Sequence, residues 1–306
     1  MISGVISAKA RSLLQAASWS DAPCDIPVTT QKTCDLFRIV PPDGKSLFTG
    51  YFEPVLKGSY TREGPYTYPV YGVPSDLVSV ANFEGSNQPG LRAFGRMENG
   101  KIAPHFTRAE IENGALKNQN LELLFVDDLI DLFFLHIQGS GKIILSNGDE
   151  VRLRFAAKNG HAYTAIGGVL KREENLQNVT MQTIKDFLRN HPEKIQGILN
   201  RNASYIFFEL LHSAGPIGAG GAVLTAEQSL AIDDTIWPYG LDVIVQTTDP
   251  HDAAKPLVLR MKTADCGSAI RGPARGDIFF GSGEAAGLKA GAMNAPGTLW
   301  IILPKA

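Results

Sequence analysis

The sequence predicts a mainly β fold of barrel or sandwich type, and three observations carry that expectation. Beyond Tyr205 almost every apolar segment is a short β run punctuated by Gly or Pro, a texture of many short strands rather than of a doubly wound sheet. The pair Asn147-Gly148 stands between residues 142–145 and 150–155, and Asn-Gly supplies the positive φ angles of a tight hairpin turn. Upstream, Pro41-Pro42-Asp43-Gly44 reads as a turn into the strand-like Leu47-Phe48-Thr49-Gly50-Tyr51-Phe52.

The remaining elements follow from pattern. Residues 66–74 alternate aromatics with prolines and enter a polar, glycine-bearing loop over 75–90. Thr107-Arg-Ala-Glu110 matches a capping box, which predicts a short helix from about Arg108 to Gly114. The run Phe133-Phe134-Leu135-His136-Ile137 is rich in β formers and reads as a strand ending at Gln138-Gly-Ser-Gly141. In the second hairpin arm Val151, Leu153 and Phe155 alternate, as on one face of a strand. Met181, Ile184, Phe187 and Leu188 fall at helical spacing over 180–190, with Pro192 just beyond, and residues 205–208 form another strand.

At 306 residues the chain exceeds one typical domain, so two are expected. A composition of 44% hydrophobic and 20% charged residues is that of a globular protein with a sizeable core. The formal net charge of -2 offers no field for a polyanion, which argues against nucleic acid as a partner. No segment approaches the roughly 20 apolar residues of a membrane helix. Residues 1–15 carry Lys9 and Arg11 within a mildly apolar stretch and match neither a signal peptide nor a lipoprotein signal. A mature fragment given a new Met has the same look, so the compartment stays open.

Cys24, Cys34 and Cys266 show no metal-ligand spacing, and neither a metal nor a cofactor is expected. Two states are open for Cys24 and Cys34, a disulfide in an oxidising compartment or free thiols. Cys266 follows Asp265 directly, but with no His nearby in sequence it reads as a small buried filler rather than a nucleophile.

Chemistry concentrates in Asp265-Cys-Gly-Ser-Ala-Ile-Arg-Gly-Pro-Ala-Arg-Gly-Asp277-Ile-Phe-Phe-Gly281. Two carboxylates twelve residues apart lie among glycines that permit tight turns and close substrate approach. Asp265 is expected before a turn and Asp277 at the start of the strand Ile278-Phe279-Phe280, both near a sheet rim. Taken alone, the two could be turn caps or groups that titrate against a substrate.

Five segments in order and spacing decide between these readings: Phe48-Thr-Gly-Tyr-Phe-Glu-Pro54, Thr107-Arg-Ala-Glu-Ile-Glu-Asn-Gly-Ala-Leu116, Phe133-Phe-Leu-His-Ile-Gln-Gly-Ser-Gly141, Lys158-Asn-Gly-His-Ala-Tyr163 and the Asp segment. Together they resemble the membrane-bound lytic murein transglycosylase A family over about residues 47–304. Residues 264–281 resemble the aspartate-rich 3D domain of other cell-wall proteins. The resemblance implies a double-psi β-barrel catalytic domain built from both chain ends, residues 1–53 and 213–306. Residues 54–212 would form an inserted β-rich domain, the other wall of a glycan groove. It implies an exolytic transglycosylase that cuts the β-1,4 bond between N-acetylmuramic acid and N-acetylglucosamine in peptidoglycan and leaves 1,6-anhydro ends. A hydrolytic muramidase on the same carboxylates and a non-catalytic wall-binding module are the alternatives. The expected partner is the peptidoglycan glycan strand, bound by a monomer open to wall-remodelling protein partners, in the bacterial periplasm, free or attached to the outer membrane.

By the same resemblance Asp277 is the catalytic acid, with Asp265 and Asp233 as supporting acidic residues. Thr49, Tyr51, Gln138, Gly139, Ser140, Lys158 and Tyr163 are its expected substrate contacts. Gln138 suits hydrogen bonding to sugar hydroxyls and acetamides, although Gln138-Gly-Ser-Gly141 would equally serve as a turn. Tyr51, Phe52 and Tyr163 are candidates to stack on sugar rings or to fill the core. Ala264 and Cys266 depart from the Gln and the Thr or Val that usually flank the first Asp in the family. His161 is expected to orient its loop or touch glycan, and His136 to be a hydrogen-bonded structural residue.

Overall fold

The computed structural model describes residues 6–81, 92–211, 213, 215–267 and 269–305. The chain divides into two compact units, Met1–Phe52 with Ala214–Ala306, and Glu53–Ser213. Both are mainly β.

The first unit is built on nine strands in the linear order Leu14–Ala17, Cys34–Ile39, Thr298–Pro304, Asp242–Asp249, Asp252–Cys266, Ser229–Ile232, Arg275–Ser282, Leu47–Glu53 and Asn294–Ala295. Its core is the inward row of these strands, with Phe48, Leu230, Ile232, Val243, Val245 and Ile278 all at 0% exposure. One feature positions the carboxylates. The short strand Ser229–Ile232 runs parallel to Asp252–Cys266 on one side and antiparallel to Arg275–Ser282 on the other. Ala231 is thereby the register partner of both Asp265 and Asp277. Residues in register across adjacent strands share a face, so the two carboxylates flank one small buried side chain, about 10 Å apart at the backbone. A bulge between Leu230 and Ala231 lets Asp265 rather than Ala264 stand opposite Ala231. Gly276 precedes Asp277 because a Cβ there would stand 3.0 Å from the Phe48 ring and from Leu230. Asp265 thus lies one residue before the end of its strand and, as expected, ahead of a turn, closed by the Ile270 amide on the Gly267 carbonyl, whereas Asp277 is the third residue of its strand rather than its opening.

The second unit carries a six-stranded sheet in the order Ile206–Leu211, Glu150–Lys158, Ser140–Leu145, Val55–Ser59, Glu122–Val126 and Tyr68–Tyr71. A three-stranded sheet of Val78–Ala81, Arg92–Glu98 and Lys101–Ala103 and a group of helices complete it. The Asn147-Gly148 hairpin forms with Ile143 opposite Val151 and Gly148 at φ 89°. The capping box at Thr107 is present, opening the helix Arg108–Glu112. The helix Met181–Asn190 buries Ile184 and Leu188. Val78–Ala81 is a strand within the span expected to be loop, and residues 82–90 of that span lie outside the described ones.

Two expectations fail here. Residues 133–137 belong to the helix Leu129–Gln138, not to a strand. An apolar run of this length carries no period that tells helix from strand, and the caps decide. The Asp128 side chain accepts from the Ile130 and Asp131 amides, and Gly139 closes the helix in the left-handed conformation at φ 77°. Phe133 and Phe134 then pack with Ile166, Leu170 and Leu188 in a helical core. The alternation Val151, Leu153, Phe155 also breaks. A register shift between Phe155 and Ala157 leaves Phe155 42% exposed while Val151 and Leu153 stay buried.

Candidate active site

Asp277 is the centre of a hydrogen-bonded cluster built by three strands of the first unit. From Leu47–Glu53, Thr49 Oγ1 donates to Asp277 Oδ1 at 2.5 Å. Two residues on, and therefore on the same face, the Tyr51 hydroxyl donates to Asp265 Oδ2 at 3.0 Å. Asp265 Oδ1 accepts from the amides of Ala219 and Cys266, each at 2.9 Å. Arg275 donates from a guanidinium nitrogen to Thr49 Oγ1 at 2.8 Å. Arg275 precedes Asp277 by two residues on one strand, a spacing visible in the sequence but not recognised there as part of the site.

The electrostatics follow from this packing. Burial is the main force on Asp277. The Thr49 hydrogen bond and the Arg275 charge favour its anion, the Asp265 charge opposes it, and the result is a carboxyl pushed up to about 6 from the ordinary 3.8. Burial also raises Asp265, against the donors Ala219, Cys266 and Tyr51. The Tyr51 phenol is raised well above its ordinary value, first by burial and then by Asp265. Near neutrality, then, Asp277 has the acidity of a group that both gives and takes a proton.

Asp233 has a different setting. It is 4% exposed at the end of Ser229–Ile232, and its carboxylate accepts from the Thr235 amide and hydroxyl, the Arg271 guanidinium and the Gly272 amide. Burial works against its charge, but these donors outweigh it and hold the carboxyl below its ordinary value. Such an anion anchors the loop that carries Arg271 and Gly272. Cys266 is a thiol pushed up to about 11, chiefly by burial, and so is not a thiolate nucleophile near neutrality. All three cysteines are free. The Tyr51 ring lies 5.2 Å from that of Phe279, and Phe52 is a buried core residue at 6% exposure.

The other expected contacts lie in the second unit. Gln138 ends the helix Leu129–Gln138, Gly139 is its left-handed cap and Ser140 opens the next strand. Lys158 closes Glu150–Lys158 opposite Ile206, and Tyr163 is 57% exposed. Asn159, fully buried and not singled out in the sequence, donates to the carbonyls of Phe106 and Ala203 and accepts from the Tyr205 amide. His161 bonds through Nε2 to the His105 carbonyl at 2.7 Å, which holds the loop. His136 sits on a helix, where its Nδ1 accepts from Arg108 at 3.0 Å and burial keeps it well below its ordinary pKa. It is a neutral structural histidine. No group of His, Cys, Asp and Glu arranged to hold a metal ion occurs among the described residues.

Comparison with known proteins matches these elements to a family. Residues 47–209 match the family described as the MltA specific insert domain, and residues 228–303 match the 3D domain. The membrane-bound lytic murein transglycosylase A of Escherichia coli (strain K12) is 32% identical over 267 residues, covering 85% of this chain and 66% of that protein. Its Vibrio cholerae counterpart is 31% identical over 274 residues, covering 84% and 65%. The chain thus spans about two thirds of the length of these curated relatives. Among solved structures, the membrane-bound lytic murein transglycosylase from Agrobacterium tumefaciens superposes with a TM-score of 0.79 at 34% identity, covering 93% of this chain and 81% of that one. E. coli MltA with bound chitohexaose superposes with a TM-score of 0.75 at 29% identity, covering 90% and 77%.

Proposed function

We propose that this chain, which belongs to the membrane-bound lytic murein transglycosylase A family, cleaves the β-1,4 bond between N-acetylmuramic acid and N-acetylglucosamine in peptidoglycan and leaves a 1,6-anhydro end. The observation that carries this reading is Asp277, a strand carboxyl pushed up to about 6 beside Asp265 and hydrogen-bonded by Thr49. Protonated, it delivers its proton to the departing glycosidic oxygen. As carboxylate it then removes the proton from the 6-hydroxyl of the same muramic acid while that oxygen closes on C1. The protons balance and the enzyme is restored. Hydrolytic glycosidases require a second carboxylate to attack or to activate water. An intramolecular hydroxyl removes that requirement and gains from proximity, so one titrating Asp is enough.

In this scheme Asp265 raises the acid by its charge, Tyr51 orients Asp265, and Asp233 holds the adjoining loop. Residues 1–53 with 213–306 are the catalytic domain, which we read as a double-psi β-barrel. The parallel pairing of Ser229–Ile232 within an otherwise antiparallel neighbourhood supports that reading. Residues 54–212 supply further glycan contacts through Gln138, Gly139, Ser140, Lys158 and Tyr163. A peptidoglycan substrate and relatives named membrane-bound favour the cell envelope, on its periplasmic side. No helix among the described residues is long and apolar enough to cross a membrane.

Digesting purified glycan strands and weighing the fragments tests the reaction. The expected product carries an anhydro end, one water lighter than a reducing end. Reducing-end products would instead establish hydrolysis on the same carboxylates, and intact strands that stay bound would leave a binding module.

A further inference from the structure

Arg275 links two strands through the acid's own hydrogen bond. Its guanidinium donates to Thr49 Oγ1 at 2.8 Å and to the Leu47 carbonyl at 3.4 Å, and it also bonds the Gly276 carbonyl on its own strand. Thr49 Oγ1 in turn donates to Asp277 Oδ1. A hydroxyl has one proton and two lone pairs. With Arg275 occupying its acceptor side, Thr49 directs that proton at the carboxylate. We propose that Arg275 is a positioning residue of the acid: it fixes Thr49 as a donor to Asp277 Oδ1 and so leaves Oδ2 as the oxygen that carries the transferred proton. The proposal rests on the reading of Asp277 as the acid and adds to it the atom and the residue that selects it.

The physical consequence lies in how the bond changes during the reaction. While Asp277 is protonated on Oδ2, Thr49 bonds a weak acceptor. As the proton leaves, Oδ1 becomes part of an anion and the same bond becomes charge-assisted, roughly doubling in strength. Arg275 strengthens it further by polarising the hydroxyl within a sparsely solvated site. The stabilisation is realised as charge develops, which is the condition for lowering a barrier rather than merely binding. A planar guanidinium fork can reach several acceptors at once, whereas a lysine ammonium is a point charge.

The groups that face Asp277 make the sign of the effect clear. Thr49 and Tyr51 come from Leu47–Glu53 and Asp265 from Asp252–Cys266. The helix Glu284–Ala292 packs on the same strand and bears Glu284 and Lys289, the latter engaged with Glu227. Asp233, beyond Ser229–Ile232, is paired with Arg271, which Asp234 shares. Arg275 is the cation that favours the Asp277 anion against Asp265. Removing Arg275 or Thr49 must therefore make Asp277 a weaker acid.

The test is the pH profile of kcat/KM for Arg275→Met, Thr49→Val and the double variant, with product mass and a thermal melt recorded for each. Each single variant is expected to move the alkaline limb upward by about one pH unit and to slow cleavage below that limb by roughly tenfold. Below the limb the double variant should be no slower than the slower single, because both changes break one chain, while its limb moves further than either single's, since the Arg275 charge also acts on Asp277 directly. An Arg275→Met profile lowered equally at every pH with an unmoved limb would mark Arg275 as scaffold and overturn the proposal. Rate losses below the limb that multiply in the double variant would overturn it too. Should Arg275→Met fail to fold, Arg275→Gln keeps an amide donor without the charge and must shift the limb in the same direction. A carbon NMR titration of the Asp277 carboxyl reads the same shift without turnover. If wild type were to give reducing ends, the reaction class would fall while the NMR shift still judged Arg275.

Discussion

Replacing Asp277 with Asn should make the protein more stable at neutral pH while abolishing its activity. The carboxyl is pushed up to about 6 in the folded chain, against an ordinary value of 3.8. Between those two values the folded state binds more protons than the unfolded one, so stability falls as pH rises through that window. A displacement of about two units at 1.4 kcal/mol each sets a ceiling of about 3 kcal/mol on the penalty carried at pH 7. Below about pH 4 both states are protonated and the penalty vanishes. An Asn side chain is neutral at every pH and keeps Oδ1 as acceptor for Thr49, though without charge assistance. The variant should therefore melt several degrees above wild type at pH 7, at about 2–4 °C per kcal/mol. That gap should shrink through pH 6 and 5 and close near pH 3.5. Calorimetry at those four pH values is the assay, with the transitions of the two units followed separately if they resolve. Cleavage by the same variant should fall at least about a hundredfold, the usual loss with a general acid. A stability gap that does not change with pH, or a variant less stable than wild type at pH 7, would refute the argument that Asp277 is destabilised by burial and poised for acid catalysis.

Three further outcomes separate the roles of neighbouring residues. Asp265→Asn should retain partial activity and move the alkaline limb of kcat/KM downward, because the Asp265 charge raises Asp277. That is the opposite direction to Thr49→Val and a smaller step, since the Thr49 bond is the larger influence. Asp233→Ala should cost about 1–3 kcal/mol, the usual effect of leaving buried donors such as the Thr235 and Gly272 amides unpaired, without moving the limb. The Asp233 carboxyl is held below its ordinary value, so its contribution is full at neutral pH and is lost as pH falls below about 3.8; thermal melts of Asp233→Asn against wild type across pH 3 to 7 measure this. Gln138→Ala should weaken binding of glycan oligosaccharides by about 1 kcal/mol, a typical net hydrogen bond, with the melting temperature unchanged. Calorimetric titration in the Asp277→Asn background reads that loss, and normal binding would reduce the Gln138 motif to a helix cap and turn.

The elements legible in the sequence are those whose cause is local. The Thr107–Glu110 capping box, the Asn147-Gly148 turn and the 181–190 amphipathic face are each specified by residues within a few positions of one another. The helix Leu129–Gln138 was hidden because its middle is apolar on every side, and a chain segment buried all round has lost its period. Its ends were still informative: Asp128 and Gly139 are a cap and a stop, and they outweigh the β propensity of Phe133 and Phe134. The exposure of Phe155 could not be read at all, since a bulge is set by how a strand registers with its partner.

The candidate site divides along the same line. Asp265 and Asp277 are recognisable as a pair of carboxylates in a glycine-rich segment, but nothing in that segment shows that they flank Ala231. That arrangement needs a third strand running parallel to one neighbour and antiparallel to the other, with a bulge that brings Asp265 into register. Arg275 is harder still. Its position two residues before Asp277 marks a shared face, yet its effect passes through Thr49, 226 residues away in sequence. Sequence motifs identify groups able to titrate; the proton affinity of Asp277 is set by desolvation, a hydroxyl's orientation and one cation, and these exist only once Leu47–Glu53 lies beside Arg275–Ser282. The chemistry of the acid is therefore a property of strand order, and changes at Thr49 or Arg275 should alter its pH dependence while every carboxylate of the motif stays in place.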